Sequence, residues 1–288
     1  MATLAPIVLF LPARNEATTV AAVVQRAPAF VGRHPVLVVV VDDGSDDGTA
    51  AAARVAGATV VSTPPRGLGA AVRTGLQAAV DMRAIAGAFC DADGEYAPEE
   101  LEILVAPILA NRADYVVGSR FDGTIRRMLP HRRFGNRVLT AGVRMLAHAP
   151  VTDGQSGYRA LSLRAATDAE IVHDYNYAQV LTLDVLRKGY RYDEVPITYS
   201  FREHGKSFVR LIPYLRRVVP AVWRVLRTPP RSVFDDMRRE DSARVGPALT
   251  IDGTIGANGV GRSPGHGQRV MRVVVGEESL PPKVQTVG

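Results

Sequence analysis

Residues 36–49, VLVVVVDDGSDDGT, decide the fold. A Val-rich apolar run, 36–41, reads as a strand and stops at Asp42-Asp43-Gly44-Ser45, after which Asp46 or Asp47 is placed to cap a helix. The same alternation extends outward on both sides. Strands are expected at residues 7–11, 59–62, 87–90 and 115–118, with helix-period segments between them, the pattern of βαβ units around a mostly parallel sheet. Asn15 is a second N-cap candidate, the third helix is expected to open at Gly69, and Ala97-Pro98-Glu99-Glu100 has the proline and acidic first turn of a helix start. Beyond Arg120 the order loosens into an Arg-rich loop, a helix near 136–146, a hairpin-like stretch at 158–163, a helix over 176–188 and a strand near 192–199.

In an open α/β sheet, ligands bind outside the carboxyl ends of the strands. Three of these strands end in polar clusters: Pro12-Ala13-Arg14-Asn15-Glu16, Asp42-Asp43-Gly44-Ser45 and Asp91-Ala92-Asp93-Gly94-Glu95. Together they form one rim. Asp91 and Asp93, two apart in extended chain, point to one side, where hard oxygens suit Mg2+ or Mn2+ held against a diphosphate, and Glu95 offers a third oxygen. Taken alone, an Asp-X-Asp-Gly string is equally a turn.

The combination is more specific. Pro12 to Glu16, Val41 to Thr49, Arg66-Gly67-Leu68-Gly69-Ala70, Asp91 to Asp93 and Gly118-Ser119-Arg120 occur in the order and spacing of the family 2 glycosyltransferases. So do Asp153-Gly154-Gln155-Ser156-Gly157-Tyr158-Arg159, Glu194-Val195-Pro196-Ile197 and Arg202-Glu203-His204-Gly205-Lys206-Ser207. Over about residues 6–210 the chain resembles that family, and within it the dolichyl- or polyprenyl-phosphate sugar synthases. The resemblance implies an α/β GT-A fold, the nucleotide-diphospho-sugar domain, built as a Rossmann-like mostly parallel sheet flanked by helices. It implies an inverting transfer from a nucleotide-sugar donor of the UDP-glucose or GDP-mannose class. Pro12, Ala13, Arg14, Glu16, Asp42, Asp43, Arg66 and Gly67 would hold the nucleotide. Asp91 and Asp93, with Glu95, would hold the metal.

The likeness departs at two points. Many relatives carry an acidic base on the helix that here reads Tyr177-Ala178-Gln179-Val180, leaving Asp153 and Asp174 as the nearest carboxylates. The C-terminal membrane spans of some relatives are also missing. Arg120, Arg132, Arg133 and Arg202 have the spacing of the family's acceptor-phosphate residues, joined by Lys206 and by Asn136, where relatives often have Ser. Guanidinium groups bind phosphate bidentately, and a phosphate monoester is largely a dianion at neutral pH that needs no base. Asp91, Asp93, Asp153 and Arg202 are therefore the expected catalytic group, and the expected acceptor is a polyprenyl phosphate. A soluble alcohol acceptor, or a nucleotide-sugar-binding module without turnover, are the alternatives.

Composition agrees with a soluble α/β protein: 288 residues, 47% hydrophobic and 22% charged. The net charge of +6 is local. Residues 120–137 and 201–228 together carry +11, leaving −5 elsewhere, which points to an anionic ligand or surface. Residues 208–226 interleave apolar residues with Arg210, Arg216, Arg217 and Arg224 at helical spacing, with Pro213 and Pro220 as expected kinks. This basic amphipathic segment suits an anionic membrane surface. The expected organisation is a transferase domain at 1–206, the basic segment at 207–228 and a disordered tail at 229–288, in which only 269–275 has strand character.

Cys90 is the only cysteine, which excludes an intrachain disulfide and a Cys-based zinc site. The six histidines show no metal-ligand spacing, and the basic segments carry no nucleic-acid recognition motif. The opening MATLAPIVLFLPARNE reads as a first strand rather than a signal peptide. The expected location is the cytoplasm, peripheral at the inner face of the membrane. A nucleotidyltransferase or a dinucleotide oxidoreductase would need a Gly-rich loop after the first strand, where this chain has Pro12 to Glu16.

Overall fold

The alternation of apolar runs and helix-period segments folds into an eight-stranded sheet with helices on both faces. The computed structural model describes residues 4–125, 130–200 and 211–230. In chain order these form β1 (Ile7–Ala13), α1 (Val20–Arg26), β2 (Phe30–Val31), β3 (His34–Asp43), α2 (Thr49–Val55), β4 (Thr59–Thr63), α3 (Leu68–Asp81) and β5 (Ala86–Phe89). A 3-10 turn at Pro98–Glu100 leads into α4 (Leu101–Leu109). Then follow β6 (Tyr115–Ile125), α5 (Pro130–Ala147), β7 (Arg159–Ser162), α6 (Leu163–Asp168), α7 (Ala178–Arg187), β8 (Tyr192–Tyr199) and α8 (Leu211–Arg227). The tail at 231–288, with its expected edge strand, lies outside the described residues.

The strand order is β2-β3-β1-β5-β7-β6-β8, with β4 also paired to β3. β1 runs parallel to β3 and β5, and the register sets Ala13 opposite Asp42 and Phe10 opposite Phe89. The segments that follow these three strands therefore leave the sheet at one edge. The stretch expected to be hairpin-like is instead a single strand, β7, antiparallel to both β5 and β6, with Ala160 facing Ala88 on one side and Val116 on the other.

Strand alternation sorts the core. Ile7, Leu9 and Leu11 of β1 pack with α1, α2 and α4 on one face, whereas Val8 and Phe10 pack with α3, α6, α7 and α8 on the other. Gly75 of α3 is required by this packing, because a Cβ there would fall 2.0 Å from the Phe10 ring.

One helix-start expectation changes. Asn15 caps nothing; it adopts φ +57°, and α1 begins only at Val20. Asp47 does serve the next helix, accepting from the Thr49 N–H at 3.0 Å. The basic segment forms α8, which is continuous through Pro213 and Pro220. Pro213 falls in the first turn, where a helix N–H has no intrahelical partner to lose. Val218, Ala221 and Val225 of α8 are buried, and α7 and α8 pack together. Among the described residues no helix is long and apolar enough to cross a membrane.

Candidate active site

At the shared edge of β1, β3 and β5, the segments that follow β1 and β3 are laced together by short polar bonds. The Asn15 N–H donates to Ser45 Oγ at 2.9 Å, the Glu16 N–H to Thr49 Oγ1 at 2.8 Å, and the Asp46 N–H to Asn15 Oδ1 at 3.1 Å. Asp42 and Asp43 are both buried and divide their work. Asp43 accepts the Arg66 and Gly67 N–H groups, both at 2.8 Å, with Arg14 Nη1 3.9 Å away, so its carboxylate anchors the loop that opens α3. Asp42 accepts the Ser45 N–H through Oδ1 at 3.1 Å, and its Oδ2 has no partner among the described residues. Of the two acids expected to meet a nucleotide, Asp42 has an oxygen to offer.

The loop that opens α3 admits only glycine at two positions. Gly67 sits at φ +117°, and a Cβ there would lie 2.7 Å from the Asp174 carbonyl oxygen; at Gly69 it would lie 2.3 Å from the His173 carbonyl oxygen. The Gly69 N–H donates to the Asp174 carbonyl at 2.7 Å, which ties residues 173–175 across the loop. The Asp174 carboxylate pairs with Arg73 and, at 3.3 Å, with Arg66. Chiefly through Arg73, its pKa lies below the usual carboxylate range.

Beyond β5 the chain enters an acidic cluster. Burial raises the Asp91 pKa, and the nearby Asp93, Glu95 and Glu16 carboxylates raise it further, with Arg120 only partly offsetting them. Hard oxygen donors gathered this closely suit a divalent cation that neutralises them. Among the described residues no three His, Cys, Asp or Glu side chains form a metal cage by themselves. Glu95 Oε2 accepts from the Tyr199 hydroxyl at 3.0 Å. Asp91 and Asp93 fit a cation that completes its shell with phosphate oxygens. Neighbouring Cys90 is fully buried, and burial pushes its thiol well above the ordinary range, so it serves as a packing residue.

Facing this cluster is a buried ion pair. Arg120 sends Nε and Nη2 to Asp153 at 2.7 and 2.8 Å, and its N–H adds a third bond at 3.0 Å. The two side chains are 6% and 0% exposed. Burial works against the Arg120 charge, but Tyr96 and Asp153 raise its pKa. Its guanidinium carbon lies 5.2 Å from the centroid of the Tyr199 ring, and Nη1 has no partner among the described residues. Tyr96 joins the halves: its hydroxyl accepts the Gly157 N–H at 2.6 Å, and Gly157 approaches Asp91 so closely that a Cβ would sit 2.7 Å from Oδ2.

The two carboxylates expected as possible bases are thus both engaged by arginines. Asp153, one of the residues expected to be catalytic, holds Arg120 in this arrangement. The first turn of α7, where relatives of the expected kind carry an acid, has the buried Gln179.

Two residues that shape the turn at 153–157 were given no role by sequence reasoning. Arg159 is fully buried and donates to the carbonyls of Gly154, Ser156 and Ala178 at 2.9, 2.8 and 3.0 Å, as well as to Tyr115 and Thr182. Its guanidinium also lies 5.1 Å from the Tyr177 ring centroid. Glu194 of β8 accepts the Thr152 N–H at 2.8 Å and bonds the Thr152 hydroxyl. Both stand inside quoted motifs, and that was their only signal.

The remaining predicted residues are distributed as follows. Pro12 and Ala13 are buried at the end of β1, and Glu16 is nearly buried beside Asp91. Arg14 and Arg66 are largely exposed on the rim. Arg133 is exposed and Asn136 half-buried on α5, which also carries Arg132 in its first turn. Arg202 and Lys206 lie outside the described residues.

An open α/β sheet that gathers a split aspartate pair, an acidic cluster and a buried arginine at one strand edge is the plan of a GT-A glycosyltransferase. Solved structures agree at the level of fold. Glucosyl-3-phosphoglycerate synthase from Mycobacterium tuberculosis, in complex with Mn2+, UDP-glucose and phosphoglyceric acid, superposes with a TM-score of 0.59. It has 23% identity, over 78% of this chain and 81% of that one. The same enzyme with Mg2+ and UDP gives 0.58 at 24% identity, over 78% of this chain and 80% of that one. The model of Glycosyl transferase family 2 matches residues 8–166, and the chain belongs to that family.

Among characterised relatives, polyprenol monophosphomannose synthase of Mycolicibacterium smegmatis is 33% identical over 159 residues, 50% of this chain and 57% of that protein. UDP-N-acetylglucosamine--dolichyl-phosphate N-acetylglucosaminyltransferase of Methanococcus voltae is 29% identical over 147 residues, 49% of this chain and 59% of that protein. The matches thus span less than two thirds of these relatives' length.

Proposed function

We propose that this glycosyltransferase moves a hexose from a nucleotide-diphospho-sugar of the UDP-glucose or GDP-mannose class to a polyprenyl phosphate, with inversion at the anomeric carbon. The observation that carries the reading is the fate of the candidate bases. Asp153 and Asp174 are each held by arginines, and the first turn of α7 has no carboxylate, so neither acid expected as the base for an alcohol acceptor is free of a cation. A phosphate acceptor needs none. What it needs is a cation, and Arg120 offers Nη1 from a buried, pre-oriented guanidinium. The names of the two relatives above support the same acceptor class.

In this reading Asp42, Arg14 and Arg66 receive the nucleotide at the β1–β3 rim. Asp91 and Asp93 hold Mg2+ or Mn2+, which when bound offsets charge on the departing diphosphate. Arg120 orients the acceptor phosphate for attack from the face opposite the leaving group, aided by Arg133 and Asn136 of α5 and by Arg132, Arg202 and Lys206. The acceptor is a lipid, and the exposed face of α8 serves as a peripheral contact with an anionic membrane at the cytoplasmic side. Arg216, Arg217, Arg224 and Trp223 lie on that face.

The test is a transfer screen pairing UDP- and GDP-sugars with either a short-chain polyprenyl phosphate or soluble alcohol acceptors, in Mg2+ or Mn2+. Product is expected with the phosphate acceptor, with the anomeric configuration inverted by NMR. Robust transfer to an alcohol with none to the polyprenyl phosphate overturns the proposal.

A further inference from the structure

Helix α5 presents a second amphipathic face, of which the proposed acceptor site uses only Arg133. At about 100° per residue, Arg133, Arg144, Arg137, Ala141, Met145 and Val138 fall in that angular order within an arc of roughly 140°. All six are exposed, Val138 to 55% and Met145 to 71%. The opposite side packs inward through the buried Thr140 and Val143, and α5 rests on α7. The arc thus has an arginine edge and an apolar edge, the division of a helix lying in a lipid interface.

The outer face of α8 has the same division. Arg217, Arg224, Arg227 and Arg216 run into Trp223 and Val219, and the last two are 56% and 59% exposed. Both helices flank α7, which is buried from Ala178 to Val185. Neither α5 nor α8 contains a single Asp or Glu, while each contains four arginines. Eight arginines without an acid match a negatively charged partner, and the large apolar side chains beside them match one with a hydrocarbon interior.

We propose that α5 is a second membrane-contacting arm, so that α5 and α8 together seat the protein on an anionic lipid surface. The inference rests on the lipid-phosphate reading and extends it: α5 also carries Arg132, Arg133 and Asn136, so the helix that meets the bilayer would be the one that meets the acceptor phosphate.

The experiment is flotation of the full chain with vesicles of phosphatidylcholine alone or with phosphatidylglycerol added. It compares wild type, Val138→Asp/Met145→Asp in α5 and Val219→Asp/Trp223→Asp in α8. Wild type should float with the anionic vesicles only, and less as salt rises. The α5 variant should lose at least tenfold in bound fraction, with unchanged melting temperature and unchanged hydrolysis of nucleotide sugar in detergent. If it floats like wild type while the α8 variant does not, the α5 arm is wrong and the membrane reading survives. If wild type itself fails to float, both fall. If the α5 substitutions leave flotation intact but convert a dimer to a monomer in analytical ultracentrifugation, the face is covered by a second copy of this chain, and the inference is likewise overturned.

Discussion

Replacing Asp153 separates two roles that the sequence left open. The carboxylate is fully buried and accepts from three Arg120 nitrogens at 2.7, 2.8 and 3.0 Å. Truncation to alanine strands a buried guanidinium, which costs about 3–5 kcal/mol, or about 6–20 °C of melting temperature for a protein of this size. Asp153→Asn keeps the shape and one acceptor but removes the charge, so it should fold and leave Arg120 less firmly held. If Asp153 acts only by orienting Arg120, Asp153→Asn should raise the KM for the phosphate acceptor, leave the donor KM near wild type and preserve the shape of the pH profile. In an Arg120→Ala background the same substitution should add little, because the two residues form one unit. Steady-state kinetics with both substrates varied, together with calorimetry, reads all of this. The reasoning is refuted if Asp153→Asn abolishes kcat at unchanged acceptor KM, removes the acidic limb of the pH profile and leaves the melting temperature intact, since that is how a general base behaves.

Three further outcomes are expected. Asp91→Ala or Asp93→Ala should lower turnover by at least about two orders of magnitude, as should excess EDTA; full activity in either case contradicts the metal assignment. Arg159→Leu strips the buried Ser156 carbonyl of its donor and takes one donor each from the Gly154 and Ala178 carbonyls, which keep Gln155 and Thr182. At about 1–3 kcal/mol for each buried group, the melting temperature measured by calorimetry should fall steeply, and an unchanged value would show that the turn holds itself. The Asp174 pKa is depressed, so its pairing with Arg73 stabilises the fold above the ordinary carboxylate range, near pH 3.9, and is lost as pH falls through the lower folded value. The stability gap between wild type and Asp174→Asn should therefore be present at pH 7 and close in strong acid, and a gap independent of pH would contradict the ion pair.

The strands were legible because each carries its own local signal: a Val-rich run that stops at a polar cluster. The parallel register of β1, β3 and β5 then followed from the βαβ order, and with it the edge where Asp42 and Asp91 emerge. β7 was misread because its pairing is non-local. Residues 158–163 look like half of a hairpin, and nothing in the stretch says that β5 and β6 will receive it from either side. Asn15 was misread for a related reason, since its side chain reaches residue 46 rather than its own helix. The site followed the same rule. Asp42 and Asp43 look equivalent in sequence, and only the position of the Arg66–Gly67 loop consumes one of them.

The arginines show best what a sequence withholds, because a motif names the residue but not what its charge is set against. Arg66 and Arg73 meet Asp174, Arg120 meets Asp153, and Arg159 meets carbonyls and aromatic rings. Of these, Arg159 is wholly internal, out of reach of a ligand. Arg120 is different in kind: its carboxylate takes Nε and Nη2, which fixes the plane of the guanidinium and leaves Nη1 in a determined direction. A buried pair of this sort contributes little net stability against a well-packed apolar replacement. Its value lies in rigidity, since a phosphate that meets a pre-oriented guanidinium does not have to order the side chain on binding. The arginines of α5 and α8 form a third group, with no acid on their own helices to meet them. The net charge of +6 is therefore a poor description of this protein. One set of arginines is spent inside the fold, one is held at the site by a partner that aims it, and a third, with Arg133 and Arg137 on α5 and Arg216, Arg217, Arg224 and Arg227 on α8, stands exposed beside Trp223 and Met145, where the proposed anionic surface would meet it.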